Sequence, residues 1–453
     1  MRAMRLKSLA VEFGGEVHGS DATVTGVTLD SRRLQPGDLF VALPGHQSDG
    51  HEFLEAAAAA GATAAMVTRF VDVALPQWRV SDPRRTLIEL ACRARSESTA
   101  RVVGVTGSNG KTTVKEMLTA VLARMDSTCA TEGNLNNELG VPLTLCRIEP
   151  ADRYAVVEMG CGKPGDIGLL ASWARPGVGV VTNAGPAHLG SFGTIEAVAR
   201  CKGELFQALP DSGYAIINAD DPHASLWEQK ASHCHIERFS LDGNPAEVSG
   251  EILPDDRLRI RFADDELVVS VPLPGRHNRV NALAAATAAR AAGADFRAIA
   301  AGLAEVAPAA GRLQGLAGPN GSRVIDDSYN ANPASLAAAM ETLTAEEGPV
   351  WLALGDMAEL GDNACQLHAE AGDRARALGI NRLFATGELS AHVVEAFGPG
   401  GEWFADQAAL VEALAANLTP GVRVLVKGSR SAAMDRVVAA LREAAAREAS
   451  TCS

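Results

Sequence analysis

The stretch GVTGSNGKTT (104–113) gathers residue types that can hold a nucleotide's phosphates. Gly107 and Gly110 allow a tight backbone turn, so the N–H groups around Ser108, Asn109 and Thr113 can face an anion at a helix start. Lys111 adds a cation for the terminal phosphates, and the Thr112 hydroxyl is a ligand for Mg²⁺. The general phosphate-loop pattern wants a glycine where this chain has Val105, so the turn rests on Gly107 and Gly110 instead. The alternative is a plain glycine-rich turn carrying a surface lysine.

Other chemically able residues lie farther along. Glu158 closes the apolar run AVVEM, and His188 follows VVTN in the loop AGPAHLG. In open parallel sheets ligands bind beyond the carboxyl ends of the strands, so these two and Lys111 are placed to converge. A carboxylate suits Mg²⁺, which prefers oxygen ligands; a lone loop histidine is more often a capping or solvated residue. Lys202, in ARCKGELF (199–206), reads on composition alone as a solvated lysine. Asn278 and Asn281, in GRHNRVNALAA, either donate to and accept from a purine edge or cap the alanine-rich helix that follows.

These residues need a scaffold of strands alternating with helices. The chain has 453 residues, 47% of them hydrophobic and only 4% aromatic, which predicts about three domains with cores of Ala, Val and Leu. We place them at 1–99, 100–310 and 311–453. The first mixes short strands such as DLFVAL (38–43) with a helix around FLEAAAAAG (53–61). The second holds the strands RVVGVT (101–106), YAVVEM (154–159) and GVGVVTN (177–183), each followed by a helical pattern, which predicts a parallel sheet covered on both faces. Within it, 247–273 alternates around Asp-Asp turns and predicts a small antiparallel β insert. The third offers RVIDDS (323–328), VWLALG (350–355), RLFATG (382–387) and RVLVKG (423–428) between helices, which predicts a second doubly wound, Rossmann-like unit. The expected fold class is therefore α/β.

A net charge of -14 with no Lys/Arg-dense run argues against nucleic acid as a partner. It also means that phosphate binding must rely on local amides, a lysine and metal ions. No stretch approaches the roughly 20 apolar residues of a membrane-crossing helix, and the first residues lack the apolar core of a secretory signal. The eight cysteines form no CxxC pair, which predicts reduced thiols in a cytoplasmic protein rather than a zinc site. We expect a monomer acting on small molecules.

Taken together, TGSNGKTT (106–113), EGNLNNELGVP (132–142), EMGCGKPGDI (158–167), TNAGPAHLGSFG (182–193), CKGE (201–204), GRHNRVNALAA (275–285) and DDSYNANP (326–333) resemble the Mur ligases. The resemblance runs in family order from about residue 30 to residue 430. It implies that ATP phosphorylates the terminal carboxylate of UDP-MurNAc-tripeptide. The amine of D-Ala-D-Ala then attacks the acyl phosphate, in the last cytoplasmic step of peptidoglycan precursor synthesis. The EMG, NANP and GDMAELG (355–361) blocks favour this branch of the family, and no DNPR-like motif of the third-residue-adding branch occurs. A carboxylate is a poor acyl donor until its oxygen becomes a leaving group, and metals with a lysine suit the charge that builds on the transferring phosphoryl group.

Carried over by motif, Lys111 grips phosphates and Thr112 with Glu158 holds one Mg²⁺. His188 and a carbamate on Lys202 hold a second. Asn278 and Asn281 resemble adenine-side residues, and Arg312 with Asp326 resembles the third-domain pair that reaches the nucleotide. In DSRRLQPGDLFVALPG (30–45), Ser31 and Arg32 are the candidates for the uridine nucleotide, over which HQSDGHEF (46–53) closes. Asn134, Asn136 and Asn137 are candidates for the muramyl-peptide, and Asn330, Asn332 and Ser335 for the dipeptide. The rivals within the enzyme class are a related ligase adding a different amino acid and a folylpolyglutamate synthase; the uridine-binding first domain argues against the second. A nucleotide-driven switch protein is the rival outside it, and it has no use for a second metal site.

Overall fold

The strand Arg101–Thr106 lies inside a nine-stranded sheet, between Val178–Val181 on one side and Tyr154–Glu158 on the other. All three run parallel, with Val103 opposite both Val156 and Val178. Successive residues serve opposite faces. Val102, Ala155 and Val157 enter one apolar cluster, while Val103, Val105, Val156 and Val180 enter another. Burial on both faces explains why these strands are continuous apolar runs rather than alternating ones. The helices Lys111–Leu122 and Arg276–Ala291 cover one face, and Gly140–Arg147 with Asp166–Ala174 covers the other.

The computed structural model describes residues 1–45, 48–186 and 189–451. Beyond Val178–Val181 the central sheet continues through Tyr214–Asn218, His235–Ser240 and Val248–Ile252, all parallel. The antiparallel insert is an extension of this sheet: Val248–Ile252 pairs with Leu258–Arg261, which pairs with Glu266–Val269. The short strand Thr128–Ala130 closes the opposite edge.

The first unit is a five-stranded sheet in the order Glu16–His18, Gln77–Arg79, Ala64–Val67, Asp38–Val41, Gly26–Thr28. The third has six strands in the order Gln314–Ala317, Arg323–Asp327, Arg423–Lys427, Val350–Gly355, Arg382–Thr386, Gly401–Phe404, parallel except for the first pair. Among the described residues no helix is long and apolar enough to cross a membrane.

The units are joined in two different ways. Asp82 caps the helix Pro83–Glu97 by accepting from the Arg85 N–H at 3.1 Å, with Pro83 in the first turn where its missing donor costs nothing. Leu87, Leu90 and Ala91 on this helix are buried in one apolar cluster with Val141, Leu145, Ile167 and Leu170 of the central unit. The third unit's two clusters begin at Val324 and Ile325 and share no residue with that core.

Candidate active site

The phosphate loop is held by its neighbours. The Asn109 N–H donates to Asn183 Oδ1 at 3.0 Å, and the Asn109 carbonyl accepts from the Thr182 hydroxyl at 2.6 Å. Gly110 has φ +81, and a Cβ there would collide with the Asn281 side chain, so both its conformation and its surroundings require glycine. Lys111 Nζ folds back onto the carbonyls of Gly107 at 2.8 Å and Ser108 at 3.3 Å. Burial, and next the positive charge of Lys202, pull its pKa down to about 8 against the opposing pull of Glu158. Thr112 sends its hydroxyl to Arg312, which donates to it at 3.3 Å.

Glu158 is 1% exposed at the carboxyl end of its strand. Asn136 donates to its Oε1 at 2.8 Å, while Oε2 is buried with no hydrogen-bond partner among the described residues. A buried carboxylate oxygen without a donor is costly unless a cation completes it. Lys202 ends the helix Ile195–Lys202, is 2% exposed, and contacts Cys161 Sγ at 3.6 Å. His188 lies outside the described residues, as do His46 and Gln47 of the HQSDGHEF block.

A cavity of about 1040 Å³ joins these groups, with Gly107, Lys111, Glu158 and Lys202 in one wall. Ser108, Asn109, Gly110 and Thr113 also line it. Asn278 and Asn281 enter it from the helix Arg276–Ala291. There Asn278 donates to Pro274 O at 2.7 Å and receives a bond from Asn281 at 3.2 Å, so part of their capacity is spent locally. From the third unit come Arg312, stacked over the Tyr329 ring at 4.2 Å, and Asn330, Asn332 and Ser335. Asn332 and Ser335 form a reciprocal cap on the helix Pro333–Thr344, and Asn332 also donates to Asn109 Oδ1 at 2.8 Å.

Some expected residues are placed differently. Asp326 does not line the cavity; its Oδ1 accepts from the Ser328 hydroxyl at 2.6 Å. The neighbouring Asp327 faces the cavity instead, paired with the buried Lys427 at 2.5 Å, because adjacent residues of a strand point to opposite faces. Asn136 and Asn137 line the cavity, and Asn137 Oδ1 accepts from Gly140 N–H at 2.9 Å at the start of the next helix. Asn134 lies close to the Tyr329 side chain. Ser31 and Arg32 lie on the short helix Ser31–Arg33, away from the cavity lining. Arg32 grips Asp30 through two bonds of 2.8 Å and holds that carboxyl down at about 2. Arg33 reaches Glu132 of the central unit at 2.9 Å.

The sequence reading did not single out Asn183, which orders the phosphate loop, or Tyr329, which carries Arg312. His277, whose pKa burial lowers, also lines the cavity. It sits in the quoted GRHNRVN block, so its position beside Asn278 was the available signal.

A parallel sheet whose strand ends lead into this loop and a buried carboxylate, with a buried lysine beside them from the helix Ile195–Lys202, is the arrangement of a nucleotide-binding enzyme. Three family models match in order: the Mur ligase family catalytic domain over residues 23–102, the Mur ligase middle domain over 105–289, and the Mur ligase glutamate ligase domain over 311–430. The chain belongs to the Mur ligase family. It is 41% identical, over 98% of its length and 99% of the relative's, to the UDP-N-acetylmuramoyl-tripeptide–D-alanyl-D-alanine ligase of Escherichia coli (strain K12). A crystal structure of MurF from Acinetobacter baumannii superposes with a TM-score of 0.87 at 31% identity, covering 98% of this chain and 99% of that one. The MurF ligase of Thermotoga maritima in complex with ADP gives a TM-score of 0.79 at 27% identity, covering 94% and 99%.

Proposed function

We infer that this chain joins D-alanyl-D-alanine to the terminal carboxylate of UDP-MurNAc-tripeptide at the expense of ATP, through an acyl phosphate. The observation that carries the reading is the convergence of Lys111, the unpartnered Glu158 Oε2 and the buried Lys202 in one cavity beside the phosphate loop. Loop amides and Lys111 bind the phosphates and orient the terminal one toward the carboxylate. Asn278 and Asn281 take the adenine side, while Arg312 closes over the nucleotide from the third unit. Asp327, which faces the cavity, is the third-unit carboxylate on that side.

The donor set fits Mg²⁺. Glu158 with Thr112 would hold one ion, which requires the Thr112 hydroxyl to give up its Arg312 contact; His188 and Lys202 would hold a second. Bound Mg²⁺ supplies charge neutralisation on the phosphoryl oxygens. Lys202 enters this set as a carbamate, since a buried ammonium with a thiol for its contact is poorly satisfied and would repel a cation. Asn136 holds Glu158 in place by its donated bond. Once the amine has added, the tetrahedral centre collapses to amide and phosphate.

We assign the muramyl-peptide to Asn136 and Asn137, with Asn134 at its edge, and the dipeptide to Asn330, Asn332 and Ser335. The uridine nucleotide goes to the first unit near Ser31 and Arg32. We keep the divisions 1–99, 100–310 and 311–453, a reading supported by the separate five-, nine- and six-stranded sheets. We assign the chain as a monomer acting in the cytoplasm, where ATP and nucleotide-linked substrates are available.

Phosphate release measured with each substrate omitted tests the reading. Release is expected only when UDP-MurNAc-tripeptide and D-Ala-D-Ala are both present, and Lys111→Ala is expected to abolish it. Lys202→Ala should lose on the order of 10²-fold in turnover and recover partly with acetate, whereas Lys202→Arg should not recover. Dipeptide-independent release overturns the reading, and near-wild-type turnover of Lys202→Arg rules out the carbamate.

A further inference from the structure

One turn of the third unit meets the central unit through a backbone hydrogen bond. The strand Val350–Gly355 is buried along its whole length and delivers Asp356, whose carboxylate accepts from the Ser390 N–H at 2.8 Å and the Ser390 hydroxyl at 2.6 Å. The next residue, Met357, donates its N–H to His368 Nε2 at 3.0 Å. His368 is fully buried, and its Nδ1 lies 2.7 Å from the Ala364 carbonyl. One ring nitrogen must therefore accept and the other donate, which fixes a single neutral tautomer. Met357 and Leu360 are both buried in the unit's core, so the turn is anchored at each end.

Between the anchors the chain bends outward. Glu359 has φ +62 and Gly361 φ +67, so a non-glycine residue is held in the left-handed region inside the turn. The Glu359 carbonyl accepts from the Gly190 N–H at 3.2 Å. A Cβ on Gly361 would stand 3.5 Å from Gly190 Cα, so two glycine backbones meet face to face. Gly190 belongs to the short helix Leu189–Phe192, which follows the loop carrying Asn183 and Gly185 of the cavity wall, and Ser191 beside it also lines the cavity.

We propose that the Met357–Gly361 turn registers the third unit against the central wall of the cavity, and that His368 is its positioning residue, acting through the Met357 N–H. Resting on the ligase reading, this concerns the step in which the amine must meet the activated carboxylate, because amine and carboxylate approach from opposite walls. A shift of the third unit by about an ångström at that contact costs orientation rather than nucleotide affinity. His368 itself touches no substrate.

The test uses Gly190→Pro, His368→Leu and His368→Gln in the full chain. Proline removes the donor to Glu359 in a first helical turn, where it is tolerated. Glutamine keeps an acceptor for the Met357 N–H. Gly190→Pro and His368→Leu are expected to lower kcat about 10-fold with the KM for ATP unchanged, and His368→Gln to return within about threefold of wild type. X-ray scattering with a non-hydrolysable ATP analogue gives a second readout: wild type should compact, and Gly190→Pro should compact less. Wild-type kcat together with wild-type compaction in Gly190→Pro overturns the proposal, even if His368→Leu fails to fold. Should wild type release no dipeptide-dependent phosphate, the ligase reading falls, while the scattering comparison still decides the contact.

Discussion

The two junctions of this chain are built by opposite means. The first unit meets the central one as a core does, with Leu87, Leu90 and Ala91 of the helix Pro83–Glu97 buried against Val141, Leu145, Ile167 and Leu170. The hydrogen bonds that cross to the third unit include Arg312 to Thr112, Asn332 to Asn109, and Gly190 to Glu359, and no buried apolar cluster spans this junction among the described residues. Apolar burial is non-directional and resists separation, whereas a few polar contacts can be exchanged for water at little net cost. The difference assigns rigidity to one junction and closure to the other. The cavity lies at the second junction, where substrates must enter and products leave.

The largest effect should come from damaging the apolar junction. Leu90 is 1% exposed, and Leu90→Ala leaves a cavity in a core shared by two units, costing about 2–5 kcal/mol. In scanning calorimetry the first and central units should melt together and the third separately. Leu90→Ala should lower only the joint transition. Two separate shifts for the first and central units would mean that the shared cluster does not couple them.

Arg312 probes the polar junction. Its guanidinium stacks on Tyr329 and donates to Thr112, next to Lys111 in the loop proposed to bind the phosphates. Arg312→Ala should therefore lower turnover about 10–100-fold while both melting transitions stay in place. A fall in the third unit's melting temperature equal to that of a core variant would make Arg312 structural and weaken the contrast.

Sequence reading reached the two junctions unequally, for physical reasons. The phosphate loop and the strands Arg101–Thr106, Tyr154–Glu158 and Val350–Gly355 were legible because glycine conformation and two-faced burial leave local marks. The central edge strand Thr128–Ala130 has three residues and no periodicity to read. Asp326 and Asp327 are chemically identical neighbours, and only strand register decides which faces the cavity. The spare oxygen of Glu158 depends on Asn136 satisfying the other one, from a loop far away in sequence. The backbone contact of Gly190 with Glu359 carries no side-chain signature at all.

The smallest effect expected is at Arg33, and it separates two explanations of the first junction. Arg33 bridges to Glu132 across that junction at 2.9 Å, and Glu132 also receives Arg147 at 2.7 Å, so an ionic explanation is available. Yet the side chains of Arg33 and Glu132 keep 59% and 42% of their exposure, so water and salt screen the pair. Exposed pairs of this kind contribute little, because the Coulomb gain is offset by ordering two long side chains. Arg147 remains to hold Glu132 when Arg33 is removed. Arg33→Ala should consequently leave the joint melting transition unmoved, in low salt and in high salt alike, whereas Leu90→Ala lowers it in both. A salt-dependent drop for Arg33→Ala comparable to that of Leu90→Ala would show that charge, and not apolar burial, fastens the first unit to the second.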